Sequence, residues 1–112
     1  SLKFALQRFN SINIKTKKKF LLIGDMLELG NYSRKLHMEI AKFINNSKVN
    51  KTYVYGDHTV HTFNKLKPQI KGRILTNTMD IYNLLNKDLP NNSLLMVKGS
   101  NSTGLNKIIQ KL

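Results

Sequence analysis

Short apolar runs alternate with helical patterns along this chain. Four of the runs are continuous, which is typical of strands covered on both faces of a sheet. They are Phe20–Ile23, Tyr53–Tyr55, Ile74–Leu75 and Leu94–Val97. Between and around them, apolar side chains recur at helical spacing and predict five amphipathic helices. The apolar stripes lie within Leu2–Phe9, Leu36–Ile44, Val60–Leu66, Ile81–Leu85 and Leu105–Leu112.

This alternation predicts the fold class. Strands joined through helices form right-handed crossovers, which produce a mostly parallel sheet. We therefore predict a three-layer, Rossmann-like α/β fold, with residues 1–112 forming a single domain. No internal repeat or low-complexity linker interrupts the chain, and it opens directly in a helical pattern. That abrupt start suggests a domain of a longer protein.

Polar residues with capping character precede two of the predicted helices. Asp57 or His58 is expected to cap the third helix, since short polar side chains accept bonds from the first helical amides. Asn77 or Thr78 is expected to start the fourth helix. Asp80 then lies in its first turn, where a negative charge suits the helix dipole.

The chain is strongly basic. Its 112 residues include 19 Lys and Arg against 6 Asp and Glu, a formal net charge of +13 with His neutral. Such a charge first suggests a nucleic acid or an anionic membrane as partner. However, the basic residues are 16 Lys and only 3 Arg, beside 14 Asn and 10 Ile, a composition typical of AT-rich coding sequence. The densest run, Lys15 and Lys17–Lys19, is either a solvated approach to the first strand or a binding patch.

Other compositional features narrow the function classes. The absence of cysteine excludes disulfides, thiolate zinc sites and cysteine nucleophiles, and it fits a reducing compartment. No apolar run approaches the roughly 18 residues that a membrane span needs. No apolar segment with the length and flanks of a signal peptide is present.

The first motif with candidate chemistry follows the first predicted strand. Residues 24–30 read Gly-Asp-Met-Leu-Glu-Leu-Gly and include Gly24, Asp25 and Glu28. A glycine directly after a strand permits a tight turn and close approach of a ligand. Asp25 would lie at the carboxyl edge of the sheet, where open parallel sheets bind ligands. It could accept bonds from ribose hydroxyls, bind a cation or amine, or simply bond nearby backbone amides.

The second motif follows the last strand. Residues 98–104 read Lys-Gly-Ser-Asn-Ser-Thr-Gly, in which Lys98 precedes Gly99, Ser100 and Asn101. Small residues before a helix expose backbone N–H groups that suit a phosphate or a carboxylate, and Lys98 adds a point charge. The glycine spacing resembles the start of a P-loop, but the required Lys-Ser/Thr pair is missing. The segment is therefore a carboxylate site or a plain helix cap.

The histidines carry weaker signals. His58 and His61 lie about one helical turn apart, yet no third ligand at a fixed spacing accompanies them, so we predict no metal site. His37 lies in the first turn of its helix, and we expect it to be structural. A Ser-His-Asp order with a nucleophile elbow is absent, as is a paired-carboxylate pattern. The residues by themselves predict an anion- or nucleotide-facing module without a complete active site.

Three segments resemble the Mur ligase family. Residues 20–30, Phe-Leu-Leu-Ile-Gly-Asp-Met-Leu-Glu-Leu-Gly, are followed by Ser33 and by Leu36-His37-x-Glu39-Ile40. The segment Leu-Met-Val-Lys-Gly-Ser at 95–100 and Ser-Leu-x-x-Ala-Leu at 1–6 complete the resemblance, which covers essentially the whole chain. The chain is similar to the last of three domains in such ligases.

The resemblance implies an activity that this domain would serve in a longer enzyme. In the branch it resembles most, the parent uses ATP and Mg²⁺ to phosphorylate the carboxylate of UDP-MurNAc-tripeptide. The amine of D-alanyl-D-alanine then attacks, giving a cytoplasmic peptidoglycan precursor. The phosphate loop and the Mg²⁺ ligands belong to the central domain, so the isolated chain is expected to be inactive and to bind ATP weakly. Its expected partners are the other ligase domains and these substrates, as a monomer without nucleic acid or membrane insertion.

The resemblance also assigns site residues. Gly24 and Asp25 match the nucleotide-facing turn, and Lys98, Gly99 and Ser100 match the loop that faces the acceptor dipeptide. The family often has Arg where this chain has Asn101, which puts the role of that position in the acceptor site in doubt. The Asn-containing turn that contacts adenine in the family would precede Ser1.

Overall fold

The computed structural model describes residues 2–14, 17–26, 33–99 and 104–110. Helices and strands alternate along this part of the chain, as the hydrophobic pattern predicts. The helices are α1 (Leu2–Ser11), α2 (Ser33–Asn45), α3 (Thr59–Asn64), α4 (Thr78–Asn83) and α5 (Leu105–Gln110). The strands are β1 (Lys18–Gly24), β2 (Lys51–Tyr55), β3 (Lys71–Leu75) and β4 (Ser93–Lys98). A 3-10 turn at Pro68–Ile70 leads into β3, and a π-helical turn at Leu84–Asp88 extends α4.

The sheet is parallel throughout, with the strand order β3-β2-β1-β4. The first two crossovers move outward from β1 to β3, and the next one returns past β1 to β4. Because right-handed crossovers put their helices on the face set by the direction of travel, this reversal places α4 opposite α2 and α3. The predicted three-layer α/β architecture is confirmed.

Central strand β1 supplies both hydrophobic cores. Leu21 and Ile23 face the layer of α1, α2 and α3, whereas Phe20 and Leu22 face the layer of α4 and α5. All four side chains are buried, which explains why this strand is a continuous apolar run rather than an alternating one. On the second face, Leu105 of α5 is buried beside Ile81 and Leu84 of the α4 region.

The observed strands extend beyond the apolar runs that predicted them. The largest difference is in β3, which begins at Lys71, although only Ile74 and Leu75 were predicted. Gly72 and Arg73 precede the apolar pair, and residues of this kind carry little strand signal. They are accommodated because β3 is an edge strand whose middle residues are partly exposed.

Lys19 departs from the expectation that the basic run before β1 is solvated. Its side chain is buried, its Nζ donates to the carbonyl oxygen of Asn10 at 3.0 Å, and it lies over the Phe9 ring. Burial, followed by the nearby charge of Lys48, lowers its pKa. A cation near the end of α1 complements the helix dipole, so Lys19 joins α1 to the sheet. The two preceding lysines are exposed, and Lys15 lies outside the described residues.

The start of α4 is capped as predicted. The Asn77 side chain accepts a bond from the Asp80 backbone N–H at 2.8 Å. In return, the Asp80 carboxylate accepts bonds from the backbone N–H and the hydroxyl of Thr76, at 2.9 and 3.0 Å. These bonds to Thr76 lower the pKa of Asp80. The Asn77 cap satisfies an amide donor in the first turn of α4 that has no intrahelical partner, and the Asp80 carboxylate holds the residue that precedes the cap.

No helix in the described part of the chain is long and apolar enough to cross a bilayer.

The lowered pKa of Asp80 predicts a pH-dependent contribution to stability. A carboxyl group whose folded pKa lies below its ordinary value of 3.8 stabilises the native state above that value and loses this effect as the pH falls through the folded pKa. We therefore expect Asp80→Asn to lower the free energy of unfolding at neutral pH, and the difference from wild type to shrink in acid. Urea titrations across this range measure it.

The matched variant is Asn77→Ala, which removes a neutral cap and should cost about 1 kcal/mol in both ranges. A wild-type advantage over Asp80→Asn that is the same at neutral and acid pH would contradict the assignment.

Candidate functional site

The crevice between the carboxyl ends of β1 and β4 is the candidate site. Chain winding reverses between these two strands, and ligands of open α/β sheets bind at such a switch point. Ile23 pairs with Lys98 across the two strands, so Gly24 and Gly99 follow side by side. The topology thereby brings together two motifs that lie 75 positions apart in the sequence.

The two glycines lie in close contact. A Cβ atom placed on Gly99 would lie 3.3 Å from both the Cα and the backbone nitrogen of Gly24. Any side chain there would press on the β1 backbone, so glycine at this position allows the two strand ends to lie close together. Lys98 is half-buried beside this edge and contributes a positive charge.

Asp25 lies at the end of β1 and is only 8% exposed. Its Oδ1 accepts hydrogen bonds from the backbone N–H groups of His58 and Thr59, each at 3.0 Å. Burial of a carboxylate is costly unless hydrogen bonds replace its water, and these charge-assisted bonds supply that replacement. Asp25 thus caps α3 from a distance of more than 30 residues in the chain.

Gly56 makes this cap possible. Its φ is +125°, a conformation that L side chains rarely adopt. A Cβ atom at Gly56 would lie 2.6–2.7 Å from the carboxylate atoms of Asp25. The glycine after β2 therefore provides both the backbone turn and the space that the carboxylate occupies.

The prediction that Asp57 or His58 caps α3 with its side chain is wrong. His58 occupies the N-cap position, but its side chain makes no capping bond, and Asp57 is exposed. A cap from a neighbouring side chain is unnecessary because the Asp25 carboxylate accepts the hydrogen bonds from the first backbone N–H groups of α3. Asp57 instead lines a cavity of about 390 Å³ at the carboxyl ends of β1, β2 and β3, together with Asp25 and Tyr55.

His37 is fully buried, and the expectation of a structural role agrees with its contacts. Its Nε2 accepts a hydrogen bond from the Met26 backbone N–H at 3.2 Å. Its carbonyl oxygen accepts a bond from the hydroxyl of Thr62 in α3. His37 therefore links the turn after β1 to two helices. The sequence analysis did not single out Thr62, because nothing in its local pattern indicates a partner in α2.

Three of the predicted site residues, Glu28, Ser100 and Asn101, lie outside the described residues. Within the described ranges, no group of three or more His, Cys, Asp or Glu side chains could hold a metal ion. The part of the site that the structure brings together is therefore Gly24, Asp25, Lys98 and Gly99.

The fold defines the class: a Rossmann-like α/β domain, a class whose members bind ligands at the carboxyl edge of the parallel sheet. A solved MurF ligase from Thermotoga maritima, in complex with ADP, has the same fold over 97% of this chain, with a TM-score of 0.64 and 20% identity. The match covers 23% of that ligase chain.

Sequence comparison identifies the particular relatives, and each is a UDP-N-acetylmuramoyl-tripeptide–D-alanyl-D-alanine ligase. The Rickettsia prowazekii (strain Madrid E) enzyme is 28% identical over 97% of this chain, and the Buchnera aphidicola subsp. Acyrthosiphon pisum (strain APS) enzyme 32% over 84%. The Bacillus subtilis (strain 168) enzyme is 29% identical over 100% of the chain. The resemblance to the Mur ligases is confirmed, although no family profile matches the chain.

The chain spans only a quarter or less of these relatives, namely 24%, 20% and 25% of their lengths. The similarity is therefore to one part of each of these ligases.

The contact between Gly56 and Asp25 predicts a large effect of one added methyl group. Gly56→Ala should lower the free energy of unfolding by more than about 2 kcal/mol, because it adds both backbone strain and a clash with the carboxylate. Gly104→Ala is the matched control, since Gly104 also has a positive φ (+73°) but an added Cβ meets nothing within 4 Å among the described residues. It should cost about 1–2 kcal/mol. Equal losses in urea unfolding would contradict the proposed contact.

Proposed function

We propose that this chain is the C-terminal domain of an ATP-dependent ligase that resembles MurF. The whole enzyme joins D-alanyl-D-alanine to UDP-MurNAc-tripeptide in peptidoglycan precursor synthesis. In this proposal residues 1–112 form one domain that closes over ATP and helps to bind the incoming dipeptide. The N-terminal and central ATPase domains of the parent lie outside this chain.

The observation that carries the proposal is the β1/β4 crevice. The Gly-Asp turn and the Lys-Gly loop, both matched to the ligase family, meet at the topological switch point of the sheet. Three relatives of the same name match 97%, 84% and 100% of the chain, which also supports the proposal.

Gly24 and Asp25 are assigned to the nucleotide. Asp25 commits Oδ1 to the amides of α3, so we assign a ribose hydroxyl to its other carboxylate oxygen, Oδ2. A carboxylate has about four acceptor positions on its two oxygens and can hold a cap and a ligand at once. The cavity of about 390 Å³ beside Asp25 supports access from that side.

Lys98, Gly99, Ser100 and Asn101 are assigned to the acceptor dipeptide. The ammonium of half-buried Lys98 would pair with the carboxylate of D-alanyl-D-alanine beside the contact between Gly24 and Gly99. The formal charge of +13 adds long-range attraction for ATP and the UDP-sugar, which are polyanions.

The cofactors of the parent are ATP and Mg²⁺. As the resemblance to the Mur ligases implies, we assign Mg²⁺ to the central domain of the parent. We further propose that the parent acts in the cytoplasm as a monomer and binds no nucleic acid. A basic nucleic-acid module is not favoured, since the relatives that match this chain are ligases.

The gene provides a direct test. We expect the reading frame upstream of the Ser1 codon to encode several hundred residues that include a Gly-x-x-Gly-Lys-Thr phosphate loop. Sequencing of the native locus checks this expectation. A start codon adjacent to the Ser1 codon would overturn the assignment to a ligase.

Dipeptide binding tests the role of Lys98. Lys98→Met replaces the aliphatic stem of the side chain and removes its ammonium group, and it should weaken the affinity for D-alanyl-D-alanine about tenfold or more, since a hydrogen bond to a charged group contributes about 1.5–3 kcal/mol. Chemical-shift titration of the isotope-labelled chain measures the affinity.

Lys87→Met is the matched control, because Lys87 is an exposed lysine in the π-helical turn after α4. It should bind the dipeptide as the wild type does. Equal affinities in the Lys98 and Lys87 variants would overturn the acceptor assignment.

A further inference from the structure

A closed circuit of buried hydrogen bonds surrounds the turn after β1. Asp25 Oδ1 accepts from the Thr59 backbone N–H at the start of α3. One turn further along α3, the Thr62 hydroxyl donates to the carbonyl oxygen of His37 in α2. His37 Nε2 then accepts from the backbone N–H of Met26, the residue directly after Asp25, at 3.2 Å. The circuit returns to its starting point after passing through two helices.

Every member of this circuit is shielded from water. His37, Thr59 and Thr62 are 0% exposed, Met26 is 7% exposed and Asp25 is 8% exposed. A buried donor or acceptor that loses its partner cannot bond water instead, so each bond is costly to break. The circuit therefore holds the turn in one conformation more strongly than exposed turn bonds would.

The imidazole of His37 provides a hydrogen-bond acceptor, which an apolar residue at this position would lack. Since Nε2 accepts a hydrogen bond from the Met26 backbone N–H, this ring nitrogen carries no proton of its own. An apolar side chain would fill similar space but leave the Met26 N–H buried without its acceptor. The burial of α2 against the sheet would be satisfied by any apolar residue at position 37. The acceptor for the Met26 N–H is what explains a histidine there.

We infer that His37 is a positioning residue for the nucleotide-facing turn. By holding the Met26 amide, it sets the direction in which the chain leaves β1 and hence where the Asp25 carboxylate lies. The carbonyl oxygen of His37 also accepts the hydrogen bond from the Thr62 hydroxyl. This bond holds α3 where its first backbone amides reach the Asp25 carboxylate. This inference rests on the proposed function for the role of Asp25 toward a nucleotide, whereas the effect on the turn itself is independent of it.

Amide exchange of the 112-residue chain tests the effect on the turn. In His37→Leu, exchange of the Met26 amide should become about tenfold faster or more, while amides in central strand β1 keep their protection. His37→Gln places an amide oxygen near the former position of Nε2 and should restore most of the protection. Unchanged Met26 exchange in His37→Leu, or no recovery in His37→Gln, would overturn the inference.

Thr62 provides a second pair of variants that does not depend on the folding of His37→Leu. Thr62→Val removes the hydroxyl donor with little change of shape, whereas Thr62→Ser keeps it. We expect faster Met26 exchange only in Thr62→Val. If both Thr62 variants exchange as the wild type does, the circuit does not act as a unit and the inference fails.

Titration with ADP connects the turn to the ligand. His37→Leu and Asp25→Asn should each weaken ADP binding about tenfold, and the double variant should lose less than the sum of the two because they act through one group. Unchanged ADP affinity in His37→Leu would overturn the positioning role. A wild-type chain that does not bind ADP even at millimolar concentration would contradict the proposed function instead, and the Met26 exchange data would still decide whether His37 holds the turn.

Discussion

The carboxylate of Asp25 accepts two backbone amides from the start of α3, and the arrangement of the carboxyl edge follows from these bonds. They join central strand β1 to a neighbouring crossover, and they account for the positive φ of Gly56, where a side chain would occupy the position of the carboxylate. Because Asp25 caps α3, the Asp57 side chain is not needed as a cap and lines the cavity instead. Because a buried charge is stable only when hydrogen-bonded, the position of Asp25 is tightly determined.

The candidate site is a consequence of topology. Strand β1 lies between β2 and β4 and is buried from Lys19 to Gly24, and the candidate site lies just beyond its carboxyl end. The winding of the chain reverses beside that end, which is the position at which open α/β sheets bind their ligands. Gly24 and Gly99 meet there, and Lys98 supplies the charge. The scaffold and the site therefore share residues, and changes at this edge are expected to affect both stability and binding.

The basic character of the chain has two structural components. Lys19 is buried against the end of α1, where its ammonium bonds a helix carbonyl, so part of the densest basic run serves the fold. Lys98 lies at the crevice, where a single positive charge is suited to a carboxylate. A count of lysines does not separate these uses, since the count carries no information about which side chains the fold buries.

The sequence alone determined the layer architecture, because buried strands and amphipathic helices leave distinct periodicities, and it identified the two glycine-containing motifs that the sheet later brings together. It did not determine the partner of Asp25, the burial of Lys19 or the contact between Thr62 and His37. Each of these contacts joins residues on different elements, and the pairing depends on strand order and on which face a crossover covers. Periodicity reports that a residue is buried, but only the tertiary structure decides which residue it is buried against.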